Sequence, residues 1–208
     1  MTNRNPLYII GAGGFAREVY EYLSHSTSEV SGFLDDNVEA LVNYDYKHQV
    51  VDRLFSDDLP KNAVLVMAIA KPSLKKQLYS FYSSKGYKFK TFVHPTAVVG
   101  SNVSIGEGSI ICPQVTITTD VSIGVLATIN AHSSIGHDAK LGDYCTLSGH
   151  CDVTGHVNLA DEVYFGSHAL AIPSVKIGAG AIIGAGAVVI SKVKAGSTMF
   201  GNPAKKIK

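Results

Sequence analysis

From Val99 to Val189 every sixth residue is apolar: Val99, Ile105, Ile111, Ile117, Ile123, Ile129, Ile135, Leu141, Leu147, Val153, Leu159, Phe165, Ala171, Ile177, Ile183 and Val189. Two places before each stands a small or β-branched residue, from Ala97 and Val103 through Cys145 and Cys151 to Ala181 and Ala187. Glycine repeatedly follows the aliphatic slot, as at Gly136 and Gly142. A period of six fits neither the helical nor the strand period. It fits a three-sided prism with one short strand per hexad and three hexads per coil, so that residues eighteen apart stack at about 4.8 Å. The aliphatic side chain fills the interior and the small one sits where the wall is tight. Glycine or a small polar residue serves the corner, where unusual backbone angles are expected. Sixteen hexads make about five coils. The phase slips after Val189, which predicts the end of the prism and a closing tail.

Residues 1–90 follow another rhythm. LYIIGAGGFAREVYEYL reads as a buried strand, a glycine turn and an amphipathic helix. VSGFLDD is a second strand ending in Asp35 and Asp36, AVLVMAIA a third, and SLKKQLYSFYSSKG a helix with a glycine stop. This alternation predicts a small parallel α/β sheet of half-Rossmann type over residues 1–90, followed by a parallel β-helix over 91–208. The turn carries Gly11 and Gly13 but Ala16 in place of a third glycine. A full dinucleotide fold is therefore disfavoured. The free N–H groups where the helix opens still suit an anion such as a nucleotide diphosphate. Asp35 or Asp36 could accept hydrogen bonds from a base or sugar, or could simply form a solvated turn.

Composition narrows the function classes. A net charge of +1 argues against a nucleic-acid partner, and the lysines ending the chain read as a solvated tail or a phosphate contact. Three cysteines without a CxxC motif argue against a disulfide framework. No run of apolar residues is long enough to span a membrane, and MTNRNPLYIIGAGG lacks the apolar core of a signal peptide. The expectation is a soluble, cytoplasmic protein with neither a membrane nor a nucleic-acid partner.

Six of the eight histidines lie in or just before the repeat: His94, His132, His137, His150, His156 and His168. His137 follows Ile135-Gly136 and precedes Asp138, which predicts a corner histidine beside a carboxylate, an arrangement suited to a general base. His132, His150 and His168 are eighteen apart and should stack, and Asp138 and His156 should be neighbours for the same reason. His94 lies before Pro95, outside the phase, and reads as structural. His132 and His137 resemble a pair of zinc ligands, but no third histidine falls in phase with them, so no metal is expected. Cys145 and Cys151 occupy the inward small-residue phase.

The segments GAGGFAREV, FLDD, HPTAVVGSNVSIGEGSII, INAHSSIGHDAKLGDYCTLSG and GNPAKKI together resemble the bacterial sugar acyltransferases of the PglD/NeuD type, over nearly the whole chain. The resemblance implies a left-handed β-helix and a homotrimer with an active site at each subunit boundary. It implies acetyl transfer from acetyl-CoA to the 4-amino group of a nucleotide-linked 4-amino-4,6-dideoxy sugar. O-acetylation of sialic acid or another sugar hydroxyl is the alternative, and a trimeric zinc hydratase a more distant one. It places the catalytic pair on His137 and Asp138, acetyl-CoA contacts near Thr146, Ser167 and Ala185, and nucleotide contacts on Gly13, Gly14, Phe15, Asp35, Asp36 and the turn near Ala70. Thr146 and Phe15 stand where a close relative carries histidine, and Ala70-Lys71-Pro72 replaces a glycine followed by asparagines. These departures leave the nucleotide and sugar open.

Overall fold

The computed structural model describes residues 5–24 and 29–208. Residues 1–4, where a leader segment would begin, lie outside the described part. The chain divides into two compact units: Met1–Ala70 with Leu74–Lys90, and Thr91–Lys208 with Lys71–Ser73.

The first unit is built on a five-stranded parallel sheet of β1 (Leu7–Ile10), β2 (Val30–Leu34), β3 (Val50–Asp52), β4 (Val64–Met67) and β5 (Lys88–Phe89), in the order β3-β2-β1-β4-β5. Helices α1 (Gly14–Ser24) and α2 (Pro72–Ser84) connect β1 to β2 and β4 to β5. Ile9, Ile10, Phe33, Leu34, Leu65 and Val66 are fully buried, as the apolar runs of a parallel sheet require. Val19 and Leu23 of α1, and Leu78 and Tyr82 of α2, complete this core. The sequence predicts only three of the five strands. The two it misses, VVD and KF, are too short for a periodic signal and exist through pairing with longer neighbours. From β1 the order runs outward in both directions, so a switch point lies between β1 and β4. Ligands of open α/β sheets bind at such a point, beyond the carboxyl ends of the strands.

The second unit is the three-sided prism. Its parallel strands pair in register eighteen residues apart, for example Ile117 with Ile135 and Ile135 with Val153. Three sheets form its sides, of six, five and eight strands. Interior slots such as Ile135, Leu147, Val153 and Phe165 are fully buried, as are the small residues Ala139, Cys145, Ala169 and Ala181.

Three expectations require correction. The prism does not stop after Val189. Two residues are dropped there and the winding continues: Ile177 bridges Val193, and Thr198–Phe200 pairs in parallel with Ile182–Ile183 at a spacing of sixteen. The repeat also starts one side earlier than Val99, because Phe92–Val93 pairs with Ile110–Ile111. The coils therefore number about six rather than five, counted from the strands in each side. His94 is then in phase, directly after the Val93 slot; its backbone N–H donates to Ile111 O at 2.9 Å, and its Nδ1 lies 2.9 Å from Thr96 Oγ1.

The third correction concerns the corners. The glycine after the aliphatic slot is not the residue with the unusual angle. Every sixth residue from Asn102 to Gly186, three places after the slot, has φ between 52° and 71°. Asn, Asp and His tolerate this left-handed region better than most residues. From Gly108 onward each such N–H donates to the coil before it: Asp138 N donates to Thr119 O at 3.2 Å and His156 N to His137 O at 2.8 Å. The glycine serves close approach instead. A Cβ added to Gly142 would lie 2.6 Å from the backbone N of Asp161 on the next coil.

Candidate active site

Ile135 is anchored in the prism interior, so the next three residues turn the corner with a fixed direction. His137 emerges there, and Asp138 follows in the left-handed conformation at φ 60°. His137 Nδ1 lies 2.8 Å from Asp138 Oδ2. A carboxylate can only accept, so Nδ1–H donates, and in the neutral ring Nε2 then carries the lone pair. Both side chains are about half exposed, so Nε2 is available to a proton donor from solvent or from a bound substrate.

The following coil completes this corner. Gly155 stands eighteen residues after His137, and a Cβ added there would lie 2.6 Å from Nε2 and 2.8 Å from Cε1. The missing side chain at 155 is what gives the imidazole its place. His156 stands above Asp138, with its Nε2 3.7 Å from the same Oδ2, and its ring is perpendicular to that of His137 at a centroid distance of 5.0 Å. The spacing of eighteen indicates the Asp138–His156 contact from sequence; the same arithmetic applied to His137 would have found Gly155.

His137, Asp138 and His156 each bring one potential ligand atom within 4.8 Å of the others, and theirs is the one such grouping among the described residues. It is not the His132–His137 pair considered from sequence. His132, His150 and His168 instead form a stack, with centroids 4.8 and 4.7 Å apart and planes within 8° and 4° of parallel. No cysteine offers a competing nucleophile, because all three are buried and burial pushes the Cys151 thiol up to about 12.

The residues expected to contact acetyl-CoA differ in accessibility. Ser167 and Ala185 are exposed on one corner, a coil apart, whereas Thr146 lies in a strand and is only 3% exposed.

In the first unit, the residues expected to hold a nucleotide gather beyond the carboxyl ends of the strands. Gly13 and Gly14 are exposed at the start of α1; a Cβ on Gly13 would meet nothing within 4 Å, and one on Gly14 would meet only Arg17 at 3.9 Å. That surface is open, and the first-turn N–H groups of a helix lack partners within it. Phe15 is half-buried and Ala70 exposed. Asp35 already braces the fold, since its Oδ2 accepts from Ala12 N at 2.8 Å and its Oδ1 from Asn37 N at 2.9 Å, tying the glycine turn to the end of β2. Asp36 is exposed and accepts from Leu54 N at 3.2 Å.

Comparison with known proteins agrees with this fold. The family model of the PglD N-terminal domain matches residues 6–81. A comparison with curated protein sequences returns no match. Among solved structures, PerB from Caulobacter crescentus, in complex with CoA and GDP-perosamine, is 31% identical with a TM-score of 0.88, covering 98% of each chain. WeeI from Acinetobacter baumannii AYE is 28% identical with a TM-score of 0.87, over 98% of this chain and 100% of that one. The acetyltransferase domain of PglB from Neisseria gonorrhoeae FA1090, in complex with acetyl coenzyme A, is 25% identical with a TM-score of 0.89, over 99% and 100%.

A small parallel α/β unit followed by a left-handed β-helix, with these relatives, defines a hexapeptide-repeat acyltransferase. The chain belongs to the PglD-type sugar acetyltransferases. No described helix is long and apolar enough to cross a membrane.

Proposed function

We propose that this chain transfers the acetyl group of acetyl-CoA to the 4-amino group of a nucleotide-linked 4-amino-4,6-dideoxy sugar, with His137 as general base. The observation that carries this reading is the His137–Asp138 contact of 2.8 Å, which leaves Nε2 as a free base on an exposed corner. PerB, with CoA and GDP-perosamine bound, supports a CoA-dependent reaction on a nucleotide-linked amino sugar. PglB with acetyl coenzyme A supports the acetyl donor.

The sugar nitrogen attacks the thioester carbonyl carbon as its proton passes to Nε2 of His137. Asp138 holds the ring and stabilises the imidazolium. The C–S bond then breaks, and the proton on Nε2 accompanies the departing sulfur, releasing CoA and the N-acetyl sugar. No covalent enzyme intermediate and no metal are required. The α1 turn at Gly13, Gly14 and Phe15 binds the diphosphate, while Asp36, the remaining acceptor capacity of Asp35, and Ala70 contact the nucleoside. Ser167 and Ala185 line the acetyl-CoA path, with Thr146 contributing only if bound substrate opens access to it. The working form is a homotrimer, with its sites at subunit boundaries, acting in the cytoplasm on precursors of surface polysaccharide.

The test is free-thiol release from acetyl-CoA with a panel of UDP-, dTDP- and GDP-linked 4-amino sugars, alongside sialic acid and bicarbonate controls. Rapid release with one amino sugar is expected. Release only with sialic acid would replace N- by O-acetylation. Dehydration of bicarbonate to carbon dioxide by a zinc-loaded protein would replace acetyl transfer altogether.

A further inference from the structure

We infer that His156, on the coil after the catalytic corner, is a positioning residue that acts on His137 through Asp138. This inference rests on the reading of His137 as the base. The backbone place of His156 is fixed by the repeat: Ile135 pairs with Val153, and His156 N donates to His137 O at 2.8 Å. Asp138 and His156 share the left-handed conformation, at φ 60° and 59°, so their side chains leave the corner in the same direction one coil apart. The Asp138 carboxylate is consequently flanked on two sides. Oδ2 meets His137 Nδ1 at 2.8 Å and His156 Nε2 at 3.7 Å. The second distance exceeds a direct hydrogen bond and suits a water bridge or a transient contact.

The residue one coil earlier separates this contact from passive stacking. Where three histidines follow one another at the left-handed position, their planes lie within 8° of parallel. His156 stands on the same kind of position, but the equivalent residue one coil earlier is Asp138 and not a histidine, so its Nε2 meets a carboxylate at 3.7 Å, while its ring meets that of His137, the neighbour of Asp138, edge-on at 88°. Asp138 is about half exposed and, without that neighbour, would be free to swing toward water. His137 would then lose the acceptor that keeps its proton on Nδ1 and its lone pair on Nε2. A second imidazole on the far side of the carboxylate narrows the directions in which it can swing.

The experiment is a double-mutant cycle with an independent spectroscopic readout. His156→Phe keeps a ring of similar breadth and removes both nitrogens, His156→Gln keeps a hydrogen-bonding group, and each is combined with Asp138→Asn. Expected is a fall in kcat of about fivefold for His156→Phe with unchanged KM for both substrates, partial recovery in His156→Gln, and less than about twofold effect of His156→Phe once Asp138 is already Asn. In parallel, the ring nitrogen resonances of His137, which report where its proton sits, should shift in His156→Phe relative to the wild type. The inference is overturned if His156→Phe costs as much in the Asp138→Asn background as alone, if it changes KM only, or if both kcat and the resonances match the wild type. Should the wild type transfer no acetyl group to any sugar, the function proposed above falls, while the resonances still decide whether His156 holds Asp138.

Discussion

Two corners of the same prism carry histidines and use them differently. On one, His132, His150 and His168 repeat at the left-handed position, and their rings stack nearly parallel at 4.8 and 4.7 Å. Identical backbones displaced by one coil give identical rotamers, and the outcome is a ladder of equivalent groups. On the other, neighbouring coils differ: Asp120, Asp138 and His156 succeed one another, while Thr119, His137 and Gly155 occupy the adjacent place. Inequality between rungs sets up the chemistry proposed there. A carboxylate beside an imidazole sets its tautomer, and a glycine above it makes room for its base nitrogen. The repeat supplies rigidity and spacing, and the departures from repetition supply the groups proposed to act.

The largest effect that could break this contrast is at His137. His137→Ala should lower turnover by about 10²–10⁴-fold with the fold unchanged by circular dichroism; near-normal turnover would remove the corner from the mechanism. Gly155→Ala comes next, because the new Cβ would force the ring aside, and a misplaced base costs roughly a hundredfold in kcat. Normal activity in that variant would mean that Nε2 is not the working nitrogen.

Gly142→Ala tests close approach where no chemistry occurs. It should destabilise the protein by about 1–3 kcal/mol in thermal or denaturant unfolding, while the turnover of the remaining folded protein stays close to wild type. At the ladder, His132→Ala should alter turnover by less than about twofold. A loss comparable to that of His137→Ala would show that the stacked histidines also take part in catalysis.

The smallest effect belongs to Cys151, in the wall joining His150 to Gly155. Its thiol is raised to about 12 by burial, above the roughly 8.5 of an exposed thiol. The stability gained by keeping it neutral is therefore complete below about pH 8.5 and shrinks as pH rises from there toward about 12, because the unfolded chain ionises first. Cys151→Ala should flatten the alkaline fall of the unfolding midpoint, and an unchanged slope would assign that fall to other groups.

Much of this was legible in the chain, for identifiable reasons. Interior slots repeat because each coil must fill the same space, so period six and the stacking of His132, His150 and His168 could be read directly. His137 and Asp138 stood out because polar chemistry next to an interior anchor has a defined position. The left-handed residue three places after the slot was harder to read: ten of its fifteen occupants are Gly, Asn, Asp or His, which tolerate that conformation, but Gln114, Leu126, Tyr144, Glu162 and Ser174 break the pattern. The last coil was hidden by its two-residue shortening, and β3 and β5 by their brevity. The bracing role of Asp35 was invisible because it depends on where the β1 turn ends in space.

The eighteen-residue register has a consequence for how such a chain can change over generations. Each coil is held mainly by the coils directly before and after it. A duplication or deletion of one whole coil can therefore leave the register of the rest intact, lengthening or shortening the molecule by about 4.8 Å. Insertion of a single residue within a strand turns its interior side chains outward and disturbs the coils stacked on it. Length in this architecture is inherited in whole steps, and Asp138 and His156 stay neighbours only while the coil between them remains complete.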